Sequence, residues 1–322
     1  MKDDHTERIA ALQSLQQPVA PDDSMAEAGR KVLLGELIVM LQREAGSRTG
    51  EDIEDVHIMR VSTRRMRSAF RVLRPYFKVK AVQPFMRDLR QTAAALGAVR
   101  DLDVLILDLQ RFQATLDADG QSAMGEIIAQ LDERRDAARS NLNALLNSKA
   151  YRRFLKRFSG FVTQPGEGAV ALRQNTPRPY QVRHVLPLLI AERLASVRAY
   201  DPLLAGEPDV ETLHALRIEF KRLRYTVSLF NSVLGKSIAE FITELKVIQD
   251  HLGRLNDIAT ARHRLDMLLD ELDGVNMGML NAYLDSLEAE APALVAGFPE
   301  VWTRFNSRKV QERLSSALLA LH

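Results

Sequence analysis

The chain has 322 residues, 46% hydrophobic and 27% charged, with 44 basic and 42 acidic side chains and a net charge of +2. That balance belongs to a folded chain with a sizeable core and excludes wholesale disorder, and it gives little support to non-specific association with nucleic acid or membranes. The absence of cysteine excludes disulfides, thiolate catalysis and zinc-thiolate sites.

Residues 1–22 are charged from the second position, carry Pro18 and Pro21, and read as a flexible lead-in without the apolar core of a secretory signal. From "MAEAGRKVLLGELIVMLQREA" (25–45) onward, apolar residues recur with a period near 3.6, the stripe of an amphipathic helix. The same period appears at about 53–74, 83–96, 101–116 and 121–147. After an interruption it returns at about 182–200, 209–233, 238–252, 254–272, 276–293 and 307–321. The interruption, "TQPGEGAVALRQNTPRPYQ" (163–181), holds three prolines and two glycines and reads as a connector. Alternating β-branched runs are absent, so the expectation is an all-α protein built from helix bundles. The most apolar window, "VLLGELIVML" (32–41), contains Glu36 and is about half the length of a membrane span. A cytoplasmic protein is the default.

The two halves repeat each other. "VHIMRVSTRRMR" (56–67) aligns without a gap on "LHALRIEFKRLR" (213–224) at an offset of 157, and "LGAVRDLDV" (96–104) on "LGRLNDIAT" (252–260) at an offset of 156. The chain is therefore expected to be one module over 23–322. It would consist of two repeats, about 23–162 and 182–322, related by a pseudo-two-fold.

The repeated helices are unusually basic. Residues 56–77 hold one histidine, six arginines and no acid. On a helical wheel His57, Arg60, Arg64, Arg67, Arg71 and Arg74 share one face over about 25 Å, beside an apolar arc of Met59, Met66, Phe70, Leu73 and Phe77. His214, Arg217, Lys221 and Arg224 repeat the first four rungs, beside Leu216, Phe220, Leu223 and Val227. Each like-charge pair at i,i+4 costs about 0.2–0.5 kcal/mol, and a merely soluble face would alternate signs, as "LDERRDAAR" (131–139) does. Guanidinium forks bind phosphate oxygens in a bidentate way and keep their charge at any cellular pH, so the ladder suits a linear anion with closely spaced charges. In "LGAVRDLDV", Gly97 reads as a helix C-cap, Asp101 as the cap of the next helix, and Arg100 as an extension of the basic surface whose counterpart is Asn256. The histidines lack metal-ligand spacing, and no phosphate loop, nucleophile elbow or paired catalytic carboxylates occur. No cofactor, metal or catalytic residue is expected.

The two histidine-headed basic helices, each followed by its LG-containing motif, resemble the CHAD domain (conserved histidine α-helical domain) family over about residues 25–320. That resemblance implies two four-helix bundles around a central basic pore or groove, and non-catalytic binding of inorganic polyphosphate. It also implies association with polyphosphate granules or with polyphosphate-metabolising enzymes. Carried onto this chain, it points to His57, Arg60, Arg64, Arg65 and Arg67, and to His214, Arg217, Lys221, Arg222 and Arg224. Arg71, Arg74 and Arg100 rest on the wheel and the motif's surroundings. The rival readings are a nucleic-acid binder, for which the cationic face lacks aromatic stacking platforms, a metal-dependent phosphohydrolase using the histidines, and a scaffold for acidic protein partners.

Overall fold

The computed structural model describes residues 2–171, 179–206, 208–269 and 277–321. Residues 172–178 of the expected connector, and the expected helix ends over 270–276, lie outside them. Among the described residues there are twelve α-helices, three short 3-10 turns and no strand beyond two isolated bridges, Ser24 with Gln181 and Phe77 with Ala169. The protein is all-α, as its periodicity requires.

Two compact units divide the chain. The first comprises Met1–Ile106 and Leu131–Leu186, the second Leu107–Gln130 and Pro187–His322. The division therefore falls inside helices and outside the connector.

The first unit starts with α1 (Lys2–Ser14), inside the stretch read as a flexible lead-in. Leu12 is buried, and the His5 ring Nε2 lies 3.0 Å from the carbonyl of Leu41. Both help to hold this helix in place beside α2 (Met25–Thr49). The Ser24 hydroxyl caps α2 by accepting from Glu27 N–H at 3.1 Å. At its far end Gly50 takes φ 71°, the left-handed value that ends the helix and turns the chain into α3 (Ile53–Val72), which Asp52 caps. The two helices approach closely at Gly46, where a Cβ would stand 1.7 Å from Asp55 Oδ2. Leu33, Leu37, Met40 and Leu41 of α2, with Met59, Met66 and Phe70 of α3, are buried. Each such side chain contributes about 1.5–3 kcal/mol.

Next comes α4 (Val79–Gln113), a single helix where the sequence reading expected two. Gly97 does not cap and Asp101 does not start a helix. The neighbouring Ala, Leu and Arg side chains are strong enough formers to carry one interior glycine, at a cost of about 1 kcal/mol. Then follow α5 (Ala118–Asn147) and α6 (Lys149–Thr163). Sequence periodicity had not singled out α6. Its Phe154, Phe158 and Phe161 are buried with Phe70, Phe77 and Phe85, with ring centres 5.0–6.3 Å apart across the cluster. It is tied to α2 near both ends. The Tyr151 hydroxyl donates to Glu44 Oε2 at 2.9 Å, and Arg30 Nη1 donates to the Val162 carbonyl at 2.7 Å. Burial, then the Glu44 charge, hold the Tyr151 phenol well above its ordinary range.

The second unit contains the end of α4 and the start of α5, most of α7 (Val182–Arg198), and α8 (Val210–Leu229), α9 (Ser237–Leu269), α10 (Met277–Glu288), α11 (Ala291–Phe305) and α12 (Arg308–Leu319). Its core gathers Phe220, Phe241, Phe298 and Phe305. The Phe220 ring lies 5.0 Å from Phe305 and 6.1 Å from Trp302. Arg304 clamps Glu244 at 2.7 and 2.9 Å, and Arg254 clamps Glu290 at 2.9 and 2.6 Å.

The repeat extends to the element boundaries. Both α3 and α8 have 20 residues and an Asp N-cap, each is followed by a 3-10 turn, and each begins at an offset of 157 from the other.

Candidate functional site

The 3–4 spacing that buries Met59, Met66, Phe70 and Leu73 turns His57, Arg60, Arg64 and Arg67 to the adjoining side of α3, where they are half-buried, and leaves Arg71 exposed. The ladder ends there. Arg74 stands beyond the helix in the 3-10 turn Arg74–Tyr76, because Pro75 disfavours helical backbone at the residue before it. The rungs from 57 to 71 span about 21 Å, shorter than the wheel implied.

Helix α4 supplies the other wall of this basic face. Arg60 Nε reaches to 3.7 Å from where a Cβ of Gly97 would be. Arg60 approaches Asp101 at 3.7 Å and Arg100 approaches Glu54 at 3.6 Å, both through exposed carboxylates. Arg67 is crowded by other cations. Its Nε is buried with no hydrogen-bond partner. Burial and then Arg71, Arg90, Arg60 and Arg64 lower its pKa, with no carboxylate among these influences. Arg90 was missed in the sequence. It lies seven residues before Gly97, two turns up the same side of α4, so extending "LGAVRDLDV" backward would have found it. Lys246 occupies the matching position of the second copy.

Histidine 57 stands at the head of this field. Burial, and after it Arg100, push its imidazole below the ordinary range; Glu54 opposes, and Arg64 and Arg60 add to the fall. Among the described residues, no three His, Asp or Glu side chains converge as a ligand set.

In the second copy His214 is exposed and its Nδ1 donates to Asn256 Oδ1 at 2.7 Å. Because an amide oxygen only accepts, the neutral ring keeps its lone pair on Nε2 and donates outward there only when protonated. Arg217, Lys221 and Arg224 are half-buried, and the Arg224 guanidinium lies 5.7 Å from the centre of the Tyr225 ring.

Arg65 and Arg222, which the family motif includes, stand off the ladders. Arg65 Nη1 donates to Glu36 Oε1 of α2 at 3.2 Å, and Arg222 pairs with Glu219 within α8. Burial raises the Glu36 carboxyl above its ordinary range, while Arg65 and Ser62 act against that rise. Glu219 occupies the position that matches Ser62, so the second copy supplies from its own helix the acid that the first takes from α2. No described helix is long and apolar enough to cross a membrane.

The CHAD domain family model matches residues 31–266. Two uncharacterized Mycobacterium tuberculosis proteins, MT2285 and Rv2226, are each 29% identical to this chain over 212 residues, which is 65% of this chain and 39% of theirs. This chain thus spans about two-fifths of the length of these curated relatives. Among solved structures, the CHAD domain from the plant Ricinus communis shares 22% identity and superposes with a TM-score of 0.63, covering 95% of both chains. PptA from Streptomyces chartreusis shares 14% identity with a TM-score of 0.61, covering 87% of this chain and 99% of that one. At these identities the two structures speak for the fold alone.

Proposed function

The chain belongs to the CHAD domain family, and from that premise we propose that it binds a linear polyanion, inorganic polyphosphate, on its His/Arg/Lys ladders without reacting with it. The observation that carries the reading is the setting of Arg67. Its buried Nε has no acceptor, and burial and then four other arginines lower its pKa with no carboxylate among those influences. A phosphate chain supplies negative charge at several rungs together, through short charge-assisted bonds and release of counterions. A point anion would answer only one or two of them. The rungs themselves include no aromatic ring on which a base could stack, Tyr225 lying beside them against Arg224, which favours phosphate over single-stranded nucleic acid. Within this reading the protein works in the cytoplasm, at polyphosphate granules or beside polyphosphate-metabolising enzymes.

The test is a titration with long-chain polyphosphate at two salt concentrations, beside the double variant Arg64→Ala, Lys221→Ala. Tight, salt-sensitive binding that the variant loses is expected, with the chain recovered intact after incubation. Binding that the variant keeps would refute the ladders. Chain shortening abolished by a chelator would favour the phosphohydrolase, and stronger competition by single-stranded nucleic acid would favour that ligand.

A further inference from the structure

Helix α6 carries a second basic surface, unrelated to either ladder. Its fifteen residues include Lys149, Arg152, Arg153, Lys156 and Arg157 and no acid. The buried phenylalanines and the two ties to α2 fix which side faces outward, and all five cations are exposed on it. Arg157 is accounted for: it binds Asp88 at 2.8 Å and lies 5.9 Å from the centre of the Phe85 ring. Lys149, Arg152, Arg153 and Lys156 form no ion pair among the described residues; the only bond there is from Arg153 Nε to the Lys149 carbonyl at 3.3 Å. At spacings of three and four they make one strip along the outer face. Other charged stretches of the chain neutralise themselves at this spacing, as Arg135 does with Asp132, Arg139 with Asp136 and Arg308 with Glu312.

The strip is also placed against its own helix. Its cations repel one another at i,i+3 and i,i+4. They occupy the N-terminal half of α6, where the peptide dipoles already present positive charge. Both effects are relieved by a bound anion. No large apolar side chain of α6 is exposed, so charge is what this face offers a ligand.

We propose that the α6 strip is a second docking surface for the same linear phosphate polymer. It would let one molecule hold two chains, or two distant segments of one chain, and so cross-link polyphosphate. This rests on the ladder reading for the identity of the ligand. Phosphate is favoured over an acidic protein because three of the four unpaired heads stand within one helical turn, two of them guanidinium forks suited to closely spaced oxygens.

The experiment compares the full chain with the variant Lys149→Gln, Arg152→Gln, Arg153→Gln, Lys156→Gln. Calorimetry uses a phosphate oligomer no longer than the α3 ladder, and light scattering uses long-chain polyphosphate. The variant is expected to bind the oligomer within twofold of wild type and to lose at least tenfold in scattering, with unchanged circular dichroism. Unchanged scattering would overturn the strip while leaving the ladders standing. Wild type that binds neither chain would overturn the ladder reading itself. Polyglutamate that binds wild type but not the variant, with polyphosphate scattering equal in both, would assign the strip to acidic proteins and refute the proposal.

Discussion

Helices α3 and α8 share a length, an Asp cap and four leading rungs, yet they work in different electrical surroundings. Around α3 the neighbouring helix adds Arg90 and Arg100, and Arg71 extends the face. Around α8 the matching positions are Lys246, Asn256 and Ser228. His57 is half-buried in a cationic field, whereas His214 is exposed and held by an amide. A histidine and three rungs therefore define the common framework, while the flanking positions decide how much positive charge each face concentrates. On this account the first copy is the tighter site.

The sharpest way to break that comparison is to cut each ladder separately. Arg64→Ala with Arg67→Ala should cost about a hundredfold in polyphosphate affinity, since each lost charge-assisted bond is worth about 1.5–3 kcal/mol. Lys221→Ala with Arg224→Ala should cost less than the first pair, because the Lys221 ammonium is a point charge without a fork and fewer cations flank α8. Equal losses by calorimetry would end the asymmetry. Exchanging the distinctive partners sharpens it. Arg100→Asn should lower affinity by about tenfold and reduce the salt slope by about one, and Asn256→Arg should raise both by similar amounts.

Acidity gives a severalfold effect. Burial first, and then Arg100, Arg64 and Arg60, hold the His57 imidazole down; a polyanion that neutralises those arginines lifts the second part, so binding should take up a proton and tighten as pH falls from 8 to 6. Stability moves the other way. With the folded pKa depressed, the His57 contribution is present above the unfolded value of about 6.5 and is lost as pH falls through the folded one. Denaturant midpoints at pH 5.5 and 7.5 should therefore differ less in His57→Gln than in wild type.

Smaller effects test the off-ladder pairs. Arg65→Met strands the largely buried Glu36 and should cost about 1–2 kcal/mol of stability, whereas Arg222→Met breaks a pair within one helix and should cost about 0.5 kcal/mol. Neither should shift affinity beyond twofold. In the stabilising direction, Gly253→Ala has open space and should strengthen α9 by up to about 1 kcal/mol. Gly97→Ala, which would touch Arg60, should gain less.

Much of this was legible before any coordinates. The ladders could be read because identical charge at helical spacing beside an apolar stripe has few other solutions, and because it occurs twice. Three features escaped for physical reasons. Pro75 cut Arg74 from the helix, a local backbone effect that a wheel ignores. Gly97 passed for a terminator because its composition is that of a cap, while the flanking helix formers carried α4 through. Arg65 fits the family motif, but its charge goes to Glu36, a partner 29 residues away that only packing reveals. Helix α6 was overlooked although Ser148 caps it by accepting from Tyr151 N–H. Its aromatic stripe is short, and its basic face resembles an ordinary solvated one.

The exchange of residues 107–130 between the units bears on how the chain is made. This segment is counted with the second unit, where Phe112 meets the Tyr283 ring at 5.6 Å. A ribosome delivers Phe112 long before Tyr283 exists, and that contact closes a loop of well over a hundred residues. A cut in the connector would put Phe112 and Tyr283, which belong to the same unit, on separate fragments.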